Sequence, residues 1–291
     1  MVFLCVYFSG QKIALIGALA NDKNSPLGSW RIASDDNTAV SVLEGMQKYK
    51  GNVLTFEKGA DLTVGKTTFI DELVFNTTDK SGFDAAKKVA ASADVVVMVL
   101  GEHGFQSGEG RSRTNLDLPG VQQELLEEVY KVNPNITVVL VAGSSLAINW
   151  MEDKIPAIVN AWYPGEQGGK AVAEVLFGCY NPAGRLPLTY YSSLNEVPAF
   201  DDYDVTKGRG YQYFKEKPLY PFGYGLSYTS FVYKNLRLTE NNEFINLVFD
   251  LKNAGKMDGD EVSQVYVKLP ETGVIMPIKE LKGFKRSFKR G

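Results

Sequence analysis

The sequence predicts an α/β fold: a mostly parallel, doubly wound sheet (an α/β sandwich), followed by an incomplete antiparallel β-sandwich. Three observations carry this prediction. Between residues 12 and about 178, strand-like runs alternate with stretches of helical spacing. Those runs are near-continuously apolar, as strands buried on both faces must be. From about residue 231 the helical pattern stops, and period-two alternation between turn residues replaces it.

KIALIGAL (12–19) is the first buried strand, and TAVSVLEGMQKY (38–49) follows with helical spacing at Val40, Leu43 and Met46. NVLTFEKG (52–59) is the second strand, and DAAKKVAASA (84–93) is a short helix leading into the strand DVVVMVLGE (94–102). In LPGVQQELLEEVYKV (118–132), Pro119 suits a first helical turn, and Val121, Leu125, Leu126 and Val129 share one apolar face. ITVVLVAGS (136–144) and AIVNAWYPG (157–165) are further buried strands, and GGKAVAEVLFG (168–178) is a helix ending on Gly178. Residues 181–228 are rich in loops, with Tyr211, Tyr213, Phe214, Tyr220, Phe222, Tyr224 and Tyr228 close together. FVYKNLRLT (231–239), FINLVFDLKNAG (244–255) and DEVSQVYVKL (260–269) are half-buried strands, and the basic KGFKRSFKRG (282–291) is a solvated one. About four strands fit here, where a sandwich needs about seven.

Composition narrows the function. With 44% hydrophobic and 22% charged residues, the 291-residue chain is globular and long enough for two domains. A net charge of −3 argues against nucleic acid as the main partner. Cys5 and Cys179 are far apart without CxxC spacing, and a single histidine is too few for a histidine metal centre; no metal and no cofactor is expected. The opening MVFLCVYFSG is too short for a transmembrane helix and lacks the basic start of a signal peptide, so no membrane insertion is expected. NTT at residue 76 and NIT at residue 135 are glycosylation sequons only in a eukaryotic secretory setting, and the compartment stays open.

Working loops of a parallel sheet lie at the carboxyl ends of its strands. Three loops qualify: ALANDKNSPLGSW (18–30), AGSSLAINW (142–150) and GEHGFQSGEGRSR (101–113). The last holds the only histidine, two glutamates, two arginines and four glycines. Glycines on both sides of Glu109 free the backbone to carry its side chain outward. Arg111 and Arg113 are near enough in sequence to orient it or bias its ionisation. Such a carboxylate suits proton delivery to a leaving-group oxygen; the alternative is a solvated surface loop. Glu102 reads as a fixing group, and His103 as an orienting or exposed one rather than a base. Trp30 and Trp162 are candidates for lining a cleft, while the tyrosine cluster is either a sugar-stacking platform or packing at a domain junction. GADLTVGKT (59–67) fails as a phosphate loop, because five residues separate Gly59 from Gly65 where four are needed. AGSSL lacks the serine-nucleophile elbow.

Taken in order, IALIGALA with GSW, SGEGRSRTNLDLPGVQ, AIVNAWYPGEQGGKAVAEVLFGCYNPAGRLPLTY and LYPFGYGLSYTSF resemble the C-terminal half of a family 3 glycoside hydrolase, the β-glucosidase family. KNAGKMDGDEVSQVYV and IKELKGFKR resemble the fibronectin type III-like module that follows it in many members. The resemblance implies an α/β sandwich domain over residues 11–215, an aromatic linker over 216–230 and a partial fibronectin type III-like domain over 231–291. It implies retaining hydrolysis of β-linked oligosaccharides or glycosides, with Glu109 as general acid/base; Arg111, Arg113, His103 and Trp30 are read from the residues themselves as binding substrate or orienting the loop. It also implies a partner: a (β/α)8 barrel, in cis or in trans, that carries the aspartate nucleophile and the main sugar-binding residues. No barrel precedes the sheet in these residues and the last β-module strands are not among them, so a fragment without activity of its own is expected. Sugar, linkage and oligomeric state stay open. A non-catalytic carbohydrate-binding or interaction module is the competing expectation, and a nucleotide-binding protein a weaker third.

Overall fold

The computed structural model describes residues 10–31, 36–241, 243–270 and 273–291; Cys5 and most of the MVFLCVYFSG segment lie outside them. The chain divides into two compact units, one running to Gly178 with Tyr190–Glu196, the other comprising Cys179–Thr189 and Val197–Gly291.

The first unit is built on five parallel strands: β1 (Lys12–Ile16), β2 (Val53–Glu57), β3 (Val95–Gly101), β4 (Ile136–Val141) and β5 (Ala157–Asn160), in the order β2-β1-β3-β4-β5. Every residue of β3 and β4 is buried, which is why both read as unbroken apolar runs. β2 is an edge strand and is only partly covered. Winding reverses after β2: the chain returns past β1 to form β3. Right-handed crossovers in opposite directions place their helices on opposite faces of the sheet. α1 (Val42–Met46) packs against α5 (Gly168–Leu176), and α2 (Phe83–Ala91) against α3 (Gln122–Val132). Ile13, Leu15, Val97, Val99, Val139 and Val141 form one core with Val42, Met46, Val172 and Leu176. Their alternates on β1, β3 and β4 point to the other face. Leu125, Leu126 and Val129 of α3 are also buried, as its spacing predicts.

Three details differ from the expectations. On α1 the buried positions are Val42 and Met46, while Val40 and Leu43 are half-buried, so the buried face is turned from the predicted one. Ser41 sets this entry with a capping box: its Oγ accepts from the Glu44 N–H at 3.1 Å, and Glu44 Oε2 accepts from the Ser41 N–H at 2.9 Å. Pro119 is not in the first turn of α3, because Gly120 at φ 67° turns the chain before the helix starts at Gln122. The loop AGSSLAINW (142–150) after β4 ends in a helix that its sequence does not signal, α4 (Asn149–Lys154). α5 does end on Gly178, at φ 69°.

The second unit holds α6 (Gly210–Tyr213) and four strands, β6 (Phe231–Glu240), β7 (Ile245–Asn253), β8 (Gly259–Val267) and β9 (Glu280–Lys289). They form two separate antiparallel pairs, β6–β7 and β8–β9, each with one register shift. The basic C-terminal cluster lies on β9. The aromatic residues pack on one another: Tyr211 stacks on Phe222 at 4.3 Å, Tyr220 stacks on Tyr224 at 5.2 Å, and Tyr211 meets the edge of Tyr266 at 6.0 Å. The Tyr211 hydroxyl accepts from the Leu281 N–H at 3.1 Å. This is the arrangement of packing rings, in which Tyr211 buries its ring against Phe222 and spends its hydroxyl on a backbone N–H.

Candidate active site

The glutamate loop leaves the buried end of β3 and is anchored at its root. Gln122, at the start of α3, brackets Gly101: its amide nitrogen donates to the Gly101 carbonyl at 2.7 Å, and its amide oxygen accepts from the Gly101 N–H at 2.9 Å. Glu102 has 0% exposure, yet its carboxylate is well satisfied. Oε1 accepts from Arg113 Nη1 at 2.6 Å and Ser144 Oγ at 2.7 Å. Oε2 accepts from the N–H groups of Gly143 and Ser144 at 2.7 and 3.0 Å, and from Ser107 Oγ at 3.3 Å. A buried carboxylate requires such a set, since an unpaired one would cost several kcal/mol (~). The network joins the loop after β3 to the loop after β4.

The tip is built differently. Gly108, Glu109, Gly110 and Arg111 form a tight turn in which the Arg111 N–H donates to the Gly108 carbonyl at 3.1 Å. Gly110 holds φ 69°, a left-handed value that suits glycine at the third turn position. Gly108, at φ 149°, lies in a region that favours glycine, and a Cβ there would sit 2.6 Å from Ser29 Oγ. Glu109 is exposed at the apex, and among the described residues no hydrogen bond or ion pair holds its carboxylate. The two arginines act elsewhere. Arg111 donates to the backbone carbonyls of Phe69 and of Asp71, the latter at 3.2 Å. Arg113 is committed to Glu102, Asn115 and the Asp117 carbonyl.

His103 is half-buried next to this root. Its Nδ1 accepts from the Phe105 N–H at 3.1 Å, its carbonyl accepts from the Tyr163 hydroxyl at 2.8 Å, and its ring lies 5.4 Å from that of Phe105. Burial holds its pKa below the ordinary imidazole range, with Arg31 and Arg111 adding to the effect and Asp22 opposing it. The Nδ1 bond leaves the proton of the neutral ring on Nε2. Burial, and then the charge of Glu102, raise the Tyr163 phenol well above its usual range, so it remains a donor. Trp30 is 65% exposed and directly follows Ser29, the residue that Gly108 passes. Trp162 sits at the end of β5 at φ 54°, edge-on to Tyr190 at 6.2 Å.

One component of the site had no sequence signal. Residues 62–76 form a narrow excursion, closed by a Thr63–Phe75 bridge, the Val64 N–H to Val74 carbonyl bond at 2.7 Å and the Asn76 N–H to Leu62 carbonyl bond at 3.0 Å. Most of GADLTVGKT lies in it or leads into it, and the next helix begins only at Phe83. Phe69, Ile70 and Leu73 of the excursion line an open depression of about 660 Å³ together with Gln106, Glu109 and Arg111. Asn76, the first sequon, is buried with its amide donating to the carbonyls of Asp61 and Asp79, so it is occupied by the fold. Asn135 of the second sequon is exposed. Among the described residues no group of three His, Cys, Asp or Glu is placed to hold a metal ion, and no helix is long and apolar enough to cross a membrane.

Residues 8–228 match the Glycosyl hydrolase family 3 C-terminal domain. A β-xylosidase of Formosa agariphila is 35% identical over 95% of this chain and 38% of its own length. A periplasmic β-glucosidase of Salmonella typhimurium is 33% identical over 94% of this chain and 39% of its own. The crystal structure of a GH3 β-glucosidase from Bifidobacterium adolescentis superimposes with a TM-score of 0.82 at 30% identity, covering 97% of this chain and 42% of that one. The chain thus spans about two fifths of the length of the relatives it matches. The family match over most of the chain and these relatives show that the chain belongs to glycosyl hydrolase family 3, as the C-terminal domain of β-glucosidase- and β-xylosidase-like enzymes.

Proposed function

We propose that Glu109 is the general acid/base of a retaining β-glycosidase, working with a carboxylate nucleophile on a (β/α)8 barrel domain supplied in cis or in trans. The observation that carries this is the free carboxylate of Glu109 at the apex of a two-glycine turn, on a loop whose root is fixed by the buried Glu102 network. Acid/base work needs a carboxyl group that is not spent in an ion pair and that can reach a bond it does not itself bind. The matched relatives named as β-glucosidase and β-xylosidase support β-glycosides as the substrate class.

In the first step Glu109 gives its proton to the departing glycosidic oxygen as the C–O bond breaks, and the nucleophile's carboxylate oxygen bonds to the same carbon. In the second, the Glu109 carboxylate takes a proton from water, the water oxygen attacks that carbon, and the nucleophile leaves. Retention requires the two carboxyl groups to stand about 5–5.5 Å apart. In this reading Arg113, through Glu102, and His103 orient the loop, and Trp30 flanks the sugar site. Residues 11–215 are the α/β sandwich domain, 216–230 an aromatic linker and 231–291 part of a fibronectin type III-like domain. The antiparallel pairs β6–β7 and β8–β9 support the last assignment.

The test is a panel of aryl β-glycosides, assayed with the 291-residue chain alone and with a separately expressed family 3 barrel. Turnover is expected only with the barrel, and Glu109→Gln should abolish it. Turnover by the chain alone would refute the need for a barrel. Unchanged turnover of the mixture by Glu109→Gln would refute the role of Glu109.

A further inference from the structure

Excursion 62–76 leaves apolar side chains in solvent where neither the core nor the sheet requires them. Ile70 is 89% exposed and Phe69 44%. Exposed apolar residues are ordinary when scattered, but these line the same depression as Glu109. They are also held there. Arg111, within the Glu109 turn, donates its guanidinium N–H groups to the carbonyls of Phe69 and Asp71, some 40 residues away. A planar fork on two carbonyls fixes orientation as well as distance. The Phe69 ring is set edge-on to Phe105 at 5.9 Å, inside the glutamate loop itself. The turn and the excursion's tip therefore form a single arm.

An acid that protonates a leaving group stands beside the oxygen that joins it to the sugar. What the acid's own arm presents beyond that oxygen faces the leaving group. We propose that Phe69 and Ile70 form the apolar wall of a leaving-group subsite, strapped to Glu109 by Arg111, which takes a ring with apolar faces: an aryl group or a second sugar. Glu72 and Thr114, both exposed at the same depression, supply a polar rim suited to ring hydroxyls. The proposal rests on Glu109 being the acid/base. It adds that leaving-group recognition and acid placement share one mechanical element.

The experiment uses the barrel-containing enzyme carrying these residues, and three substrates with the same glycone: the glycosyl fluoride, the 4-nitrophenyl glycoside and the disaccharide. Fluoride is too small to reach the wall and leaves without protonation. Ile70→Ser and Phe69→Ala are expected to lower kcat/KM by about tenfold or more on substrates whose leaving group fills the wall, as removal of apolar pocket contacts does. Both should leave the fluoride unchanged. Loss confined to the aryl glycoside assigns the wall to apolar aglycones, and loss confined to the disaccharide assigns it to a second sugar. Equal loss on all three, or no loss on any, overturns the proposal. Ile70 is so exposed that Ile70→Ser should keep its melting temperature, so a fold defect is separable. Arg111→Lys, which keeps the charge and loses the fork, should lower kcat on the disaccharide more than it raises KM. Failure of the acid/base assignment would look different: Glu109→Gln would then hydrolyse the disaccharide normally, whatever the wall variants do.

Discussion

Glu102 and Glu109 are seven positions apart and have opposite surroundings: one carboxylate takes five donors in the interior, the other, at the surface, takes none among the described residues. Removing the first strands Arg113, whose side chain is 12% exposed, without its counter-charge. Glu102→Ala should therefore cost about 3–5 kcal/mol in urea unfolding, the usual effect of breaking a buried pair. Gly110→Ala places a Cβ at φ 69° with no neighbour to clash, so strain alone should cost about 1–2 kcal/mol and slow turnover in the barrel-containing enzyme. His103 gives a pH test, as it is the only histidine. Its folded pKa is lowered, chiefly by burial. As pH falls through the unfolded value of about 6.5, the unfolded chain binds a proton that the folded chain refuses, and stability drops until the folded pKa is reached. Melting temperatures between neutral and mildly acid pH should show this slope, and His103→Gln should flatten it. The sequence singled out Glu109 as a candidate through its flanking glycines and family motif, and the structure shows its carboxylate exposed at a turn apex. It did not reveal the task of Arg111, because the carbonyls it binds lie across some 40 residues that carry no periodic signal.

Among the elements, β3 and β4 were legible because strands buried on both faces leave no polar interruptions, and α3 because its spacing matches its buried face. α4 was not, since six residues are too few to establish a helical period. α1 was legible as a helix but not in its rotation, which is decided by the Ser41–Glu44 cap. Its length of five residues leaves it dependent on that cap, so Ser41→Ala should destabilise the first unit by about 1 kcal/mol, measured by thermal melting. Excursion 62–76 was illegible as an element: only backbone bridges between its arms define it, and pairing of that kind follows from register rather than composition.

Taken whole, the chain keeps its strongest core in the first unit and leaves apolar side chains on the strands of the second. Leu236, Leu238, Ile245 and Val248 are exposed on β6–β7, and Phe284 and Phe288 on β9. Two-stranded pairs with such faces favour association. Light scattering of the 291-residue chain should show concentration-dependent self-association, and Leu238→Lys with Ile245→Lys should reduce it. The separation of a fixed root from a glycine-hinged tip has a consequence for inheritance. Residues 102, 113, 143 and 144 determine how firmly the arm is seated, whereas 108–111 determine how far it reaches. Insertions at the tip leave that anchorage in place, but they move Arg111 and with it the excursion at 62–76, so a change of reach is inherited together with a change in what the arm carries.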